Sequence, residues 1–275
     1  MGVRGAALGT VGGQAVSMGM SLWFFFGQRR RPYRITLADL KPHGPTLRQL
    51  VSVGAPSFLG GFGITLLTAL ANNLMVAVGG PLMLSAFALC SRIGTFVTMP
   101  QLGIAQGLQP VVGYNAGRGL TARVHRATTL TLRATVGYGT GVCLALLVLA
   151  APLMGLFTDD PAVRAKATSA LRILAFGYPF AGVATLVSAR FQALGQPRPS
   201  YLISIGSVIA IKAPLLVTLS RFGTHALWIS FPVAEAVAAG LALLILRRRL
   251  TDDTPTTREP LPGAPRRPCA RPSGR

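Results

Sequence analysis

The sequence predicts an all-α membrane protein of about seven transmembrane helices. Hydrophobic residues make up 51% of the chain and charged residues only 12%, whereas a soluble domain carries about 25% charged residues. The mean hydropathy is +0.51. Asp39, Asp159, Asp160, Asp252, Asp253 and Glu259 lie between or beyond the long apolar runs, and Glu235 alone sits inside one. The bases gather at the ends of those runs, at 28–34, 118–126 and 247–249, which is how cytoplasmic loops of membrane proteins are marked. A net charge of +20 then reports loop topology and attraction to anionic lipid rather than a nucleic-acid-binding face.

The first apolar run covers residues 3–26. A signal peptide would open on more bases than Arg4 and close on small residues, but this run ends in WFFFGQRRR, so it reads as a retained helix. Residues 1–28 are therefore assigned to a transmembrane helix with its N-terminus outside. Residues 29–46, basic and holding Pro32, Pro42 and Pro45, are assigned to a cytoplasmic loop. The next span runs from 47 to 78, with Pro56 near its start and a face of Gly60, Gly61 and Gly63 that lets a neighbouring helix approach. Gly79, Gly80 and Pro81 make a turn without charge. The returning stretch, 86–119, holds Arg92, Pro100 and several glycines, a density of breakers that a bilayer helix tolerates as a kink. Asn115, Gly117 and Gly119 close its cytoplasmic end, as Asn and Gly do at helix C-termini.

Residues 124–157 cross outward, and the mixed-sign loop TDDPAVRAK follows. The run 167–194 has breakers at Gly177, Tyr178 and Pro179, and the run 201–222 carries Lys212 and Pro214. The last run, 226–246, stops at Arg247, Arg248 and Arg249. Each run reaches the roughly 20 residues that cross a hydrocarbon core of about 30 Å. Residues 47–250 thus form a six-helix unit. Residues 251–275, proline-rich and without apolar periodicity, are assigned to a disordered cytoplasmic tail. The base asymmetry places the chain in the plasma (inner) membrane with its C-terminus cytoplasmic.

Cys90, Cys143 and Cys269 lack regular spacing, and His43, His125 and His225 are scattered singly, so neither a disulfide framework nor a metal site is expected. No phosphate loop follows a strand-like run and no nucleophile–base pair stands out, so neither a cofactor nor an enzymatic activity is expected.

Several motifs occur together in one order: the Gly54–Ala55–Pro56 span, RIGTFVTMPQLGIAQGLQPVVGYNAGRG, ALRILAFGYPF, FQALGQPRP, Lys212–Ala213–Pro214 and FPVAEAVAAG. In this the chain resembles the multidrug and toxic compound extrusion (MATE) family. The resemblance implies twelve helices in two six-helix lobes that open alternately while a drug is exchanged for Na+ or H+. It makes residues 47–250 the C-terminal lobe and residues 1–28 the last helix of an otherwise absent N-terminal lobe. The expected function is the C-terminal portion of a cation-coupled efflux antiporter of amphipathic or cationic small molecules, not competent without the missing N-terminal lobe. The alternatives are a lipid-linked oligosaccharide flippase of the same superfamily and a non-transporting membrane subunit. Nucleic acid is not an expected partner; the bilayer is.

Among the ionisable residues inside spans, three share one depth. At about 1.5 Å per residue, Arg92, Lys212 and Glu235 all fall roughly 14 Å from the outer ends of their helices. Lys212 and Glu235 occupy consecutive antiparallel helices, so the expectation is an ionised Glu235 held by Lys212 with Arg92 contributing, either as a helix lock or in transport. Substrate-pocket candidates are polar and aromatic residues beside the breakers: Gln101, Gln106, Gln109 and Tyr114 on one span, and Phe176, Tyr178, Phe180 and Gln192 on another. Each also suits plain helix packing. The expected helix kinks are Pro56, Pro100, Pro179 and Pro214. The spans at 47–78 and 167–194 contain no acid, although the resemblance implies cation-coupling acids in the corresponding helices.

Overall fold

The computed structural model describes residues 2–24 and 44–252, helical throughout apart from short turns. The end of the predicted first helix (25–28), most of the predicted loop (29–43) and most of the predicted tail (253–275) lie outside the described residues. Residues 44–46 and 251–252 are helical, so the flanking helices extend slightly past the boundaries expected from the sequence.

The chain divides into two compact units, Met1–Arg48 and Gln49–Arg275. The first contains α1 (Gly2–Leu22). The long element α2 (Gly44–Gly117) has 74 residues, which as one unbroken helix would run about 110 Å, far longer than a bilayer is thick. Its backbone leaves helical geometry at Gly80, with φ 69° and ψ −166°, a conformation open essentially to glycine alone. Gly80 therefore divides α2 into two spans, and Pro81 suits the first turn of the second.

The other elements are α3 (Thr121–Phe157), α4 (Pro161–Ala175), α5 (Tyr178–Ala193), α6 (Pro197–Tyr201), α7 (Ala213–Ser220) and α8 (Thr224–Asp252). Two π-helical segments, Leu202–Gly206 and Val208–Lys212, join α6 to α7. Among the described residues four helical stretches are long and apolar enough to cross a membrane, and α4 with α5, bent by 51°, makes a fifth. With α2 divided at Gly80 the second unit supplies six spans, and α1 brings the protein to about seven helices.

Local chemistry accounts for the boundaries. Asp160 caps α4, its carboxylate accepting from the Ala162 and Val163 amides at 2.8 and 3.3 Å, with Pro161 next in sequence. At the end of α2, Gly119 takes φ 72° while the Leu120 amide donates to the Asn115 carbonyl at 2.9 Å, an αL closure of the kind expected there. Pro56, Pro100 and Pro110 all sit inside α2, yet its non-helical backbone is confined to Gly80. At Pro56 and Pro100, two of the expected kinks, the dihedrals stay helical. Pro179 stands beside the bend between α4 and α5, and Pro214 lies in the first turn of α7.

In the four stretches that cross without a bend, no more than a third of the most apolar window is buried within the chain. Large side chains such as Phe96, Leu156 and Val148 are at least 74% exposed, more apolar exposure than a water-soluble monomer carries. Threonines on these surfaces bond their hydroxyls to the carbonyl four residues back, as Thr68 does to Ile64 at 2.8 Å and Thr140 to Val136 at 2.8 Å. That is how a hydroxyl is satisfied where no water reaches it. Inside, Met75, Met83, Phe87, Leu171 and Trp228 form one apolar core. Val187, Phe191, Ile203 and Ala242 form a second around α5 and α8, and Leu108, Val112, Val124 and Leu186 a third.

Candidate functional site

The bend between α4 and α5 sets the geometry of the interior. Pro179 has no amide hydrogen to donate to the preceding turn, and the Gly177 amide bonds Leu174 instead, at 2.9 Å. The Tyr178 carbonyl accepts from the Gln101 side-chain amide at 2.9 Å, which ties the broken helix to the second arm of α2. Close approach from α3 depends on Gly139, where a Cβ would collide with the Tyr178 carbonyl and come within 2.8 Å of the Pro179 Cα. Gly182 packs in the same way against Thr135 and Gln101.

Beyond this bend, both arms of α2, α5 and the π-helical segments enclose a cavity of about 360 Å³. Gln106 and Gln109 enter it from α2, Thr185, Ser188 and Gln192 from α5, and Ser204, Ser207 and Lys212 from the π-helical region. One wall is a hydroxyl–amide network. Ser57 donates to Gln192 Oε1 at 2.9 Å, Gln192 Nε2 donates to Ser188 and Ser200 at 3.2 and 3.1 Å, and Ser188 pairs with Ser200 and Ser204 at 2.7 and 2.9 Å. Ser188 and Ser200 are buried, and partners of this kind remove the cost of placing them in hydrocarbon. The Gln106 and Gln109 amides, by contrast, have no hydrogen-bond partner among the described residues, leaving donors and acceptors for a ligand.

Lys212 closes one end of the cavity. Its Nζ bonds Glu235 Oε1 at 2.5 Å, with the two side chains 17% and 25% exposed. This is the contact expected from their shared depth. Arg92, at the same depth, is exposed and makes no ion pair with Glu235, because its position around the helix axis turns it outward. Its expected contribution to the network is not made.

The pocket candidates separate into two groups. Gln106, Gln109 and Gln192 line the cavity. Gln101 is buried and bonded to the bend, and Tyr178 is buried in the first apolar core. Tyr114 is 65% exposed and stacks with Arg118, whose guanidinium carbon lies 5.6 Å from the ring centroid. Phe176 and Phe180 are also exposed. The serines at 57, 188, 200, 204 and 207 were not singled out from the sequence. Their signal is the four-residue spacing of Ser188 with Gln192 and of Ser200 with Ser204, which puts each pair on one helical face. A larger depression, of about 410 Å³, lies beside Asp159, Arg164 and Arg172, but it is an open surface groove that no candidate lines. No cluster of metal-ligating side chains occurs among the described residues.

Residues 56–218 match the MatE family. The chain is 28% identical over 258 residues to the multidrug export protein MepA of Staphylococcus haemolyticus, covering 91% of this chain and 56% of that protein. It is 30% identical over 263 residues to MepA of Staphylococcus aureus strain NCTC 8325, covering 92% and 56%. The chain thus spans about half the length of the curated relatives it matches. The fold is similar to the outward-facing structure of a multidrug resistance MATE transporter of the MOP superfamily, with a TM-score of 0.84 and 23% identity over 92% of this chain and 57% of that one. A MOP superfamily transporter from Pyrococcus furiosus is alike at a TM-score of 0.83 and 24% identity, covering 91% and 57%. By the match of residues 56–218, more than half of its length, this chain belongs to the MATE family of multidrug efflux transporters.

Proposed function

We propose that the chain is the C-terminal portion of a MATE-type transporter that exports amphipathic, often cationic drugs by antiport against Na+ or H+. The observation that carries this reading is the amide- and hydroxyl-lined cavity set among bilayer-length helices. A drug-sized ligand gains from apolar walls with a few convergent polar groups, and the amides of Gln106 and Gln109 are positioned to supply them. The multidrug export activity named for the staphylococcal relatives supports the same substrate class. On this reading the chain lies in the plasma membrane with its N-terminus outside and its C-terminus cytoplasmic. Alternating access needs two walls that move against each other, so this lobe transports only together with a companion N-terminal lobe.

Binding of ethidium, an aromatic cation, to the full chain in lipid nanodiscs tests the reading. Gln106→Leu/Gln109→Leu is expected to weaken binding about 2–10-fold, the loss of one or two modest hydrogen bonds. Affinity unchanged by the double substitution would remove the cavity from the account. Energised vesicles should accumulate ethidium only when a companion lobe is co-expressed, and accumulation by the chain alone would contradict the two-wall requirement.

A further inference from the structure

The Lys212–Glu235 pair carries more than a helix contact. Glu235 is the one acid inside an apolar run, and Lys212 Nζ is its one hydrogen-bonding or ion-pair partner among the described residues. The lysine belongs to the cavity wall, but the glutamate does not. Lys212 is thus the residue that meets both the cavity and the carboxylate. Lys212 reaches this place from the last residue of the π-helical segment Val208–Lys212, directly before α7, and π-helical turns commonly mark functional positions.

The charged groups on the surrounding elements do not compete for the site. Arg92 of α2, Arg172 of α4 and His225 of α8 are exposed. Arg190 of α5 is buried with its guanidinium carbon 5.4 Å from the Phe191 ring centroid and makes no ion pair with Glu235. Tyr178 lies in the opposite apolar core, and α7 has no titratable residue.

We propose that Lys212 is the resident cation of this lobe: its ammonium fills the place on Glu235 that a proton, an alkali cation or the cationic head of a ligand would otherwise take. A carboxylate in a membrane span needs a positive partner, and a tethered one is present at high effective concentration whatever the ions outside. Glu235 in the native chain is thus closed to H+ and Na+. Its significance for transport rests on the antiport reading above, but the test below reads cation binding directly and does not depend on any drug binding.

The full chain in nanodiscs is unfolded thermally in NaCl and in N-methylglucamine chloride of equal ionic strength, at mildly acidic and mildly alkaline pH. The native protein and Lys212→Arg are expected to show no shift that Glu235→Gln abolishes. Lys212→Gln opens the carboxylate to the cavity, and its midpoint should rise by several degrees, saturably, with Na+ or with acid. Lys212→Gln/Glu235→Gln should lose that response. A native response removed by Glu235→Gln, or a Lys212→Gln protein as insensitive as the double variant, would overturn the proposal. Infrared difference spectra of the native chain against Glu235→Gln give a readout that does not depend on Lys212→Gln folding. No Glu235 carboxylic acid band should appear on mild acidification, and its appearance would equally refute the assignment.

Discussion

Gly139→Ala is expected to destabilise the protein by about 1–3 kcal/mol, the range for forcing extra volume into a packed interior. Gly137→Ala and Gly141→Ala, two residues to either side, should leave stability unchanged or slightly raised. The contrast follows from what a methyl group meets at each site. At Gly137 and Gly141 there is nothing within 4 Å, whereas at Gly139 the methyl meets the Tyr178 carbonyl and the Pro179 Cα. These are backbone atoms of the bend between α4 and α5, so no flexible side chain can swing aside. The carbonyl is further held by Gln101, and retreat would break that bond as well as shift the α5 wall of the cavity. Equilibrium unfolding in mixed micelles measures the difference. A Gly139→Ala protein as stable as Gly137→Ala would mean that the bend is not packed against α3 as described.

Glu235→Leu alone is expected to cost about 1–3 kcal/mol. Removing one partner of a fully buried pair typically costs about 3–5 kcal/mol, and the 17% and 25% exposure of these side chains lowers that penalty through hydration. Lys212→Met/Glu235→Leu should recover most of the loss, because an apolar pair of similar size leaves no ammonium without a counter-charge in the span. The same unfolding assay, run as a double-mutant cycle, reads the coupling. A double variant less stable than either single one would show that the two side chains act independently, and would leave the 2.5 Å contact without energetic meaning.

Much of this arrangement was readable from sequence because a bilayer simplifies the problem. Apolar runs of bilayer length, interrupted at Gly80 and at 177–179, give the six spans of the second unit, the broken one among them. A fixed rise per residue then puts Lys212 and Glu235 at one depth on adjacent helices. Depth, however, says nothing about rotation around the helix axis. Arg92 shares the level of the pair yet faces outward, and Tyr114, Phe176 and Phe180 lie beside breakers but are exposed. Prolines do not mark the break in α2 by themselves: Pro56 and Pro100 keep helical dihedrals, while Gly80, with no Cβ, leaves them. The serine wall of the cavity was not foreseen because serines at four-residue spacing in a span equally suit close helix packing. Only the tertiary fold brings Ser57 from one span against Gln192 from another.

The six-span arrangement on which the cavity and the ion pair depend is tested most directly by two-sided labelling. In a chain with Cys90, Cys143 and Cys269 replaced by alanine, single cysteines are introduced as Leu82→Cys, Arg118→Cys, Asp159→Cys, Arg198→Cys and Phe222→Cys, and reacted with a membrane-impermeant maleimide in vesicles of known orientation. Positions 82, 159 and 222 should react from one face of the membrane and positions 118 and 198 only from the other. Reaction of Arg118→Cys from the same face as Leu82→Cys, or of all five positions from one face, would contradict it.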